Sequence, residues 1–392
     1  MRAIETIQLR FRKVGNTIDR RLWRVLWEAV EALVRGGDMR PAVMARYLRR
    51  AAFQKHRIKT VDRLLGNPRL RRVFRPLYQA IARMLIRNAR SAPILVDWTQ
   101  IDTKHNAIVA AVPIGGRGIP LLSHVHRKAK VPTRAMHRKF LKELGHVLPP
   151  DCVPILITDA GFQGSWLADV AAHNWHYVAR VRHRTCVRAE ASQVWLPNKQ
   201  LHVRARAKPR DLGHWQIGKD RKTNRLLVRL LLAKRTPRGR HYRGRRGKPL
   251  RGGKSPEISK RQREPWLLAT NLTASASFVV EQYARRMQIE ETFRDAKNPL
   301  LGWSLGAVRS RHPERLAALM MIATLAYLCV IVVGLAAENS ALHRQLQANT
   351  LKRRVLSLFR LGTVVLTTLC AVRVSAADLH NAIRRLQALV PT

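Results

Sequence analysis

Residues 155–181 read ILITDAGFQGSWLADVAAHNWHYVARV. Ile155-Leu156-Ile157 is a short unbroken apolar run, the mark of a strand covered on both faces. From Ser165, read as a cap, to His173 the spacing turns helical, and His176–Val181 returns to a strand pattern. Upstream, Ile94-Leu95-Val96 is another buried run. Ile108–Ile114 and Ile119–Val125 flank Gly115-Gly116-Arg117-Gly118 as the arms of a hairpin, and Thr133–His146 is helical in pattern. The order strand, hairpin pair, helix, strand, helix, strand predicts an α/β fold, a mixed sheet covered by helices.

The whole chain has 392 residues with 74 Lys+Arg against 24 Asp+Glu, a formal charge of +50, yet 46% of it is hydrophobic. That much apolar material excludes a disordered polycation, and the charge calls for a polyanionic partner, nucleic acid above all. Cys152, Cys186, Cys329 and Cys370 are widely spaced without a C-x-x-C pair, which argues against a zinc ribbon or a disulfide framework and fits a reducing cytosol. The basic N-terminus has no apolar stretch behind it, so a secretory signal is not expected.

Outside the sheet region the pattern changes character. Val25, Leu26, Ala29, Val30 and Leu33 recur at helical steps before Gly36-Gly37; Pro41 opens a second helix and Thr60 caps a third. With Lys59, Arg63, Arg69, Arg71 and Arg72 clustered nearby, residues 1–90 read as a helical module suited to DNA, the competing reading being a bundle with a solvated basic face. Residues 185–264 read as a β-rich insertion, with apolar alternation at Val194–Leu196, Leu201–Val203 and Leu226–Leu232. Within it Lys234–Arg263 holds 13 Lys/Arg against one acid, with five glycines and three prolines, and is expected to be a basic loop binding DNA without reading its sequence. From Ser277 onward the chain reads as helical. Leu316–Ala337 is uncharged for 22 residues, long enough to cross a bilayer, but Thr324, Tyr327, Gly334 and its closeness to Lys297 favour a helix buried beneath the sheet.

In a chain this poor in acids, carboxylate placement is informative. Asp97 directly follows Ile94-Leu95-Val96, and Asp159 directly follows Ile155-Leu156-Ile157-Thr158. Acids at the ends of buried strands are costly without compensating cations or donors, and a hard divalent cation takes oxygen ligands; each alone also reads as a turn or capping residue. Tyr283, Arg286, Glu290 and Lys297 form the third element. On one continuous helix they fall at roughly 0°, 300°, 340° and 320°, a single narrow face, with Glu291 and Asp295 turned away at roughly 80° and 120°. A surface Arg286–Glu290 ladder is the plainer alternative.

These residues resemble the DDE transposases of bacterial insertion sequences. Val-Asp97-Trp-Thr, Thr-Asp159-Ala-Gly-Phe and the spacing Tyr283, Arg286, Glu290, Lys297 are similar to the motifs of the insertion-sequence-four family with its YREK signature. The resemblance runs from about Leu95 to Tyr327. It implies an RNase H-like catalytic core at 91–184 and 265–337, interrupted by the insertion at 185–264, with a C-terminal helical region at 338–392. It also implies two Mg²⁺ ions per active site, for which Mn²⁺ substitutes, held by Asp97, Asp159 and Glu290 as the catalytic acids. Arg286 and Lys297 would grip phosphate, and Tyr283 and Trp266 would hold distorted DNA at the element's end; Trp266 as a core residue is the alternative. The implied partners are double-stranded DNA, at terminal inverted repeats and at target sites, and a second copy of the chain in a homodimer; the helical spacing of Leu379, Ile383 and Leu386 makes a C-terminal stripe that reads as a dimer contact or, more commonly, as burial within one chain. A bacterial cytoplasmic, nucleoid-associated location without a membrane follows from the same resemblance. The implied activity is cut-and-paste transposition: DNA cleavage at the element's ends, then strand transfer. The rivals are an RNase H-like nuclease or resolvase that cuts without joining, and a transposase-derived DNA-binding protein whose site is unused.

Overall fold

The structure, a computed structural model, describes residues 2–390 apart from 163, 183–184, 220–224, 235–263, 349, 352 and 368–373. Apart from Lys234, the expected basic loop Lys234–Arg263 lies outside the described residues. Helices α1 (Arg2–Arg10), α2 (Arg12–Gly15), α3 (Arg20–Gly36), α4 (Pro41–Arg46), α5 (Gln54–Gly66), α6 (Pro68–Arg72) and α7 (Phe74–Ile86) open the chain. Strands β1 (Ser91–Gln100), β2 (His105–Ile114) and β3 (Arg117–Arg127) follow, then α8 (Arg134–Val147). Next come β4 (Val153–Thr158), α9 (Gly164–Ala172), β5 (His176–Val181), β6 (Cys186–Ala189), β7 (Leu196–Pro197), β8 (Arg210–Ile217), β9 (Leu226–Ala233), β10 (Trp266–Thr270) and α10 (Ala276–Ala284). Helices α11 (Met287–Lys297), α12 (Pro313–Asn339), α13 (Leu358–Thr367) and α14 (Ala376–Ala388) complete it. Two compact units result, residues 1–153 with 287–392, and residues 154–286.

In the first unit β1, β2 and β3 form an antiparallel meander that aligns Asp97 with Val109 and Val109 with Ser123. Gly115 and Gly116 turn the β2–β3 hairpin with φ of 57° and 89°, a left-handed pair that glycine adopts without a Cβ clash. Strand β2 is buried from Ala107 to Ile114, so both its faces are covered. Helices α7 and α8 pack on β3, and α11 lies against all three strands. Tyr78 of α7 shares a 2.7 Å hydrogen bond with Ser123 of β3. Helix α3 starts where the Asp19 carboxylate accepts the Leu22 N–H, buries Leu22, Leu26, Ala29, Val30 and Leu33 on one face, and stops at left-handed Gly37.

Helix α12 is apolar on every side, which suits only a fully surrounded position. By length and composition it is able to span a bilayer; in this structure 89% of its most apolar window is buried inside the protein. It packs on β3, α3, α5, α13 and α14. Two glycines let α12 and α13 touch backbone to backbone. A Cβ on Gly334 would lie 2.1 Å from the Leu358 carbonyl oxygen, and one on Gly362 would lie 2.0 Å from that of Val330.

In the second unit β4 and β5 run parallel, linked by α9. Beyond β5 the order continues antiparallel through β10, β9, β8, β6 and β7, so the unit carries a large mixed sheet. The fold is therefore mixed α/β, with β6–β9 supplying the β-rich insertion.

Four local expectations are corrected. Thr60 is not a cap: it lies inside α5 with its hydroxyl bonded back to the His56 carbonyl at 2.9 Å, the i−4 bond that lets a β-branched residue sit mid-helix. Ser165 falls in the first turn of α9 rather than before it. Leu201–Val203 belongs to a 3₁₀ stretch, Asn198–Arg204, not a strand. Strand β1 does not stop before Asp97, because Asp97, Trp98, Thr99 and Gln100 all remain paired to β2.

Two outcomes are expected. Gly362→Ala should lower stability by about 1–3 kcal/mol or more, read by urea or thermal unfolding, because neither backbone can retreat. His124 on β3 packs edge-on to Phe140 of α8, with ring centroids 5.3 Å apart, and burial drives its pKa down to about 4. The unfolded chain then binds the proton more readily, so stability should fall as pH drops from about 6.5 to about 4, by roughly 3 kcal/mol in all. His124→Phe should flatten that part of the stability curve.

Candidate active site

Asp97 sits half-buried within β1, and its Oδ1 accepts the Trp98 N–H at 2.8 Å. Helix α11, lying across β1, carries Glu290 in its first turn and Lys297 in its last. A carboxylate is favoured at a helix N-terminus and an ammonium at its C-terminus. Burial lowers the Lys297 pKa, while the neighbouring negative charge of Asp97 raises it in part. The Lys297 Nζ also stands 5.8 Å from the ring centroid of Phe293, one turn back. Asp97, Glu290 and Lys297 thus stand on two packed elements of one unit.

What seats α11 is a set of residues the sequence reading passed over. The Thr292 hydroxyl donates to the Gly118 carbonyl at 2.9 Å and accepts the Gly118 N–H at 2.8 Å, fastening the helix to the start of β3. Asp295 Oδ2 accepts Arg117 Nε–H at 2.6 Å and the Tyr327 hydroxyl at 2.8 Å. Burial pushes the Asp295 carboxyl above the usual carboxylate range, and Arg117 and Tyr327 offset part of that. Removing Arg117 would leave a buried acid without its cation, a loss of roughly 3–5 kcal/mol. Glycine at 118 lets the hairpin and α11 approach closely, since a Cβ would come within 3.1 Å of Ala111 Cβ and 3.3 Å of Ile289 Cα. One signal was available: Ile289, Thr292 and Asp295 recur every three residues, a polar pair continuing an apolar stripe.

The second unit holds the remaining candidates. Asp159 follows β4, and its Oδ1 accepts the Gly161 N–H at 2.8 Å, a tight Asx turn. Tyr283, near the end of α10, is 3% exposed, with its ring edge-on to Trp266 at 4.7 Å between centroids. Burial raises its hydroxyl pKa; Arg286 and Arg180 pull it down, Arg180 also by a hydrogen bond, and the charge of Asp159 raises it further. Asp159 and Arg286 are therefore each within electrostatic reach of Tyr283. Half-buried Trp266 opens β10 between β5 and β9. Arg180 on β5 is half-buried, which lowers its guanidinium pKa, and it donates to the carbonyls of Glu264 and Pro265 at 3.3 and 3.4 Å. Its partner Glu264 is also gripped by Arg182. Neither Arg180 nor Glu264 stands out by motif or spacing in the sequence.

The continuous signature helix is corrected. Helix α10 ends at Ala284, and Arg285 and Arg286 make three-residue bonds to the carbonyls of Gln282 and Tyr283 before α11 begins at Met287. The four signature residues therefore stand on two helices and the turn between them, not on one continuous helix. Among the described residues no three His, Cys, Asp or Glu side chains form a group able to hold a metal ion.

A family model described as the transposase DDE domain matches residues 90–329, more than half of the chain. No curated protein matches it. The matched stretch runs from the start of the β1–β3 meander, through Asp159 and the whole second unit, into α12, and so contains every candidate acid above. A chain with that match, a mixed α/β fold and Asp97, Asp159 and Glu290 on its central elements belongs to the DDE-domain transposases.

Proposed function

We propose that this transposase is of the insertion-sequence-four type, with Tyr283, Arg286, Glu290 and Lys297 as its signature, and that it moves DNA by cut-and-paste. In this reading Asp97, Asp159 and Glu290 are the catalytic acids. The carrying observation is the seating of α11 on β1, with the Lys297 ammonium close enough to Asp97 to feel its charge. The antiparallel β1–β3 meander and the parallel β4–α9–β5 pair are the pieces an RNase H-like core requires.

The implied cofactor is Mg²⁺, two ions per active site, with Mn²⁺ as a substitute. Asp97, Asp159 and Glu290 are each oxygen donors of the kind a hard cation takes. Asp97 and Glu290 belong to the first unit and Asp159 to the second. When bound, such ions supply Lewis-acid stabilisation at phosphorus and lower the pKa of water or of a 3′ hydroxyl. The chain's own residues do the rest. Lys297 places a point charge against a phosphate oxygen, Arg286 offers a planar fork to another, and Trp266 presents an aromatic face to a displaced base. Tyr283, held by Trp266 and Arg180, orders that second group.

DNA is held by charge, with the helical residues 1–90 as the module that engages the terminal repeats and a second copy of the chain completing a homodimer on DNA. The location is cytoplasmic and nucleoid-associated. Two rivals remain, a nuclease or resolvase that cuts without joining, and a DNA-binding derivative that does neither.

Duplexes carrying the element's own terminal repeats, incubated with Mg²⁺, separate the three: excision with joining, cutting alone, or binding alone. Asp97→Ala, Asp159→Ala and Glu290→Ala should each reduce cleavage to background while leaving DNA affinity intact; cleavage surviving the Glu290 change would remove Glu290 from the acids. Thr292→Val and Asp295→Asn should slow cleavage by about 10- to 100-fold at unchanged DNA affinity, with Thr292→Ser restoring most of the rate.

A further inference from the structure

Between α7 and β1 the chain turns through Arg87, Asn88, Ala89 and Arg90, and this turn faces residues 149–153, which lead into β4, across a cleft of about 870 Å³. Arg83, Arg87 and Arg90 line it together with the acid Asp151, and all four residues are exposed. Among the described residues none of the three guanidinium groups is ion-paired, whereas Arg75, Arg182, Arg229 and Arg354 each lie on an acid. Arg87 is held in two ways. Its backbone has φ 53° and ψ −121°, a combination that L residues rarely adopt. Its guanidinium donates to the side-chain oxygen of Gln387 on α14 at 3.4 Å, a neutral partner that leaves the charge uncancelled. The same Gln387 amide donates to the Met84 carbonyl at 2.9 Å. The Arg83 and Ile86 carbonyls accept the N–H groups of Arg87 and Ala89, both at 3.1 Å, so three of the last four carbonyls of α7 are occupied and the negative end of its dipole is blunted. Arg90 is tied to the facing wall, its carbonyl accepting the Val153 N–H at 2.8 Å.

The cleft is separate from the candidate active site. Asp97 follows Arg90 by seven residues along β1, so at about 3.3 Å per residue the two stand roughly 20 Å apart, too far for one phosphate to touch both. Three guanidinium groups without acids of their own, gathered on one open cleft, select a ligand that carries several negative charges. Planar forks match phosphate oxygens. The N–H groups of Asn88 and Arg90 have no acceptor among the described residues, so two backbone donors border the same cleft. A lone phosphate ion would satisfy one fork, whereas a duplex brings successive phosphates to all three.

We propose that the cleft of Arg83, Arg87 and Arg90 is a second DNA-backbone site, which grips duplex phosphates away from the bond being cut and does so by charge, without reading bases. The ligand class is the phosphodiester backbone of double-stranded DNA, supplied by the element's own end or by the target. The proposal rests on the transposase reading for its choice of nucleic acid, and it adds a surface that the acids and the signature residues do not supply.

The test uses the full-length protein without divalent metal and two duplexes, one bearing the element's terminal repeat and one of random sequence, with affinity measured across a range of salt. In the Arg83→Gln/Arg87→Gln/Arg90→Gln variant, the duplex that the cleft holds should bind about tenfold or more weakly at about 0.15 M salt, and the slope of log affinity on log salt should shrink by about 2–3. The matching lysine variant should keep the wild-type slope, since the slope counts charges, and Asp151→Asn should tighten binding. A loss on the repeat duplex alone assigns the cleft to the element's end. A loss seen only when protein already loaded with the repeat duplex has to capture the random one assigns it to the target. Unchanged affinity, slope and capture would overturn the site, as would a lysine variant as defective as the glutamine one, which would make the arginines structural. The three side chains are exposed, so the glutamine variant should melt with wild type; if it melts lower, Asp151→Asn carries the test, tighter binding supporting the site and unchanged binding overturning it. Wild type that binds both duplexes with these slopes but never cleaves the repeat once Mg²⁺ is added would count against the transposase reading and leave the site standing.

Discussion

The seat of α11 rests on one buried arrangement: the Asp295 carboxylate between Arg117 and Tyr327, next to the Thr292 hydroxyl that closes on both backbone groups of Gly118. These bonds join the hairpin, the helix carrying Glu290 and Lys297, and the buried helix α12. Each bond alone is modest, but in a low-dielectric setting the loss of one partner strands the others, which makes the arrangement cooperative. The placing of Lys297 near Asp97, and the firmness of the turn after Lys297, both follow from it.

Charge economy shapes the rest. With 74 basic residues against 24 acids, the chain uses many of its acids as internal partners for arginine. Glu143 takes Arg75, Asp211 takes Arg229, Glu264 takes Arg182 and Glu338 takes Arg354. Asp97 and Asp159 each accept a backbone N–H from a residue one or two positions ahead, which orients the carboxylate from within its own loop or strand. The surplus positive charge left on the chain suits a polyanionic substrate, drawing it in without reading its sequence.

Much of the local fold was legible because it follows from short-range periodicity. Strand β5 spans His176–Val181 as read, α8 begins after its Thr133 cap, and the Gly115-Gly116 turn closes the hairpin where two apolar runs meet it. Illegible features depended on distant partners. β1 runs past Asp97 because β2 continues to pair with it, and no pattern within 91–100 announces that. The helix of the signature breaks at Arg285-Arg286 although both halves are composed of helix formers, since α10 packs on β5 and α11 on the β1–β3 meander. Asp295, which helical geometry turns away from the signature face, gains its role from Arg117, 178 positions away.

By itself the sequence determined the strand and helix order, the scarcity and placement of the acids, and the family to which their spacing points, because each of these is written in residue type and local period. The tertiary structure alone decided which unit each acid belongs to, how α11 is fastened, and that Gln387 holds Arg87 on one cleft with Arg83 and Arg90, because those depend on hydrogen bonds and backbone contacts between segments remote in the chain.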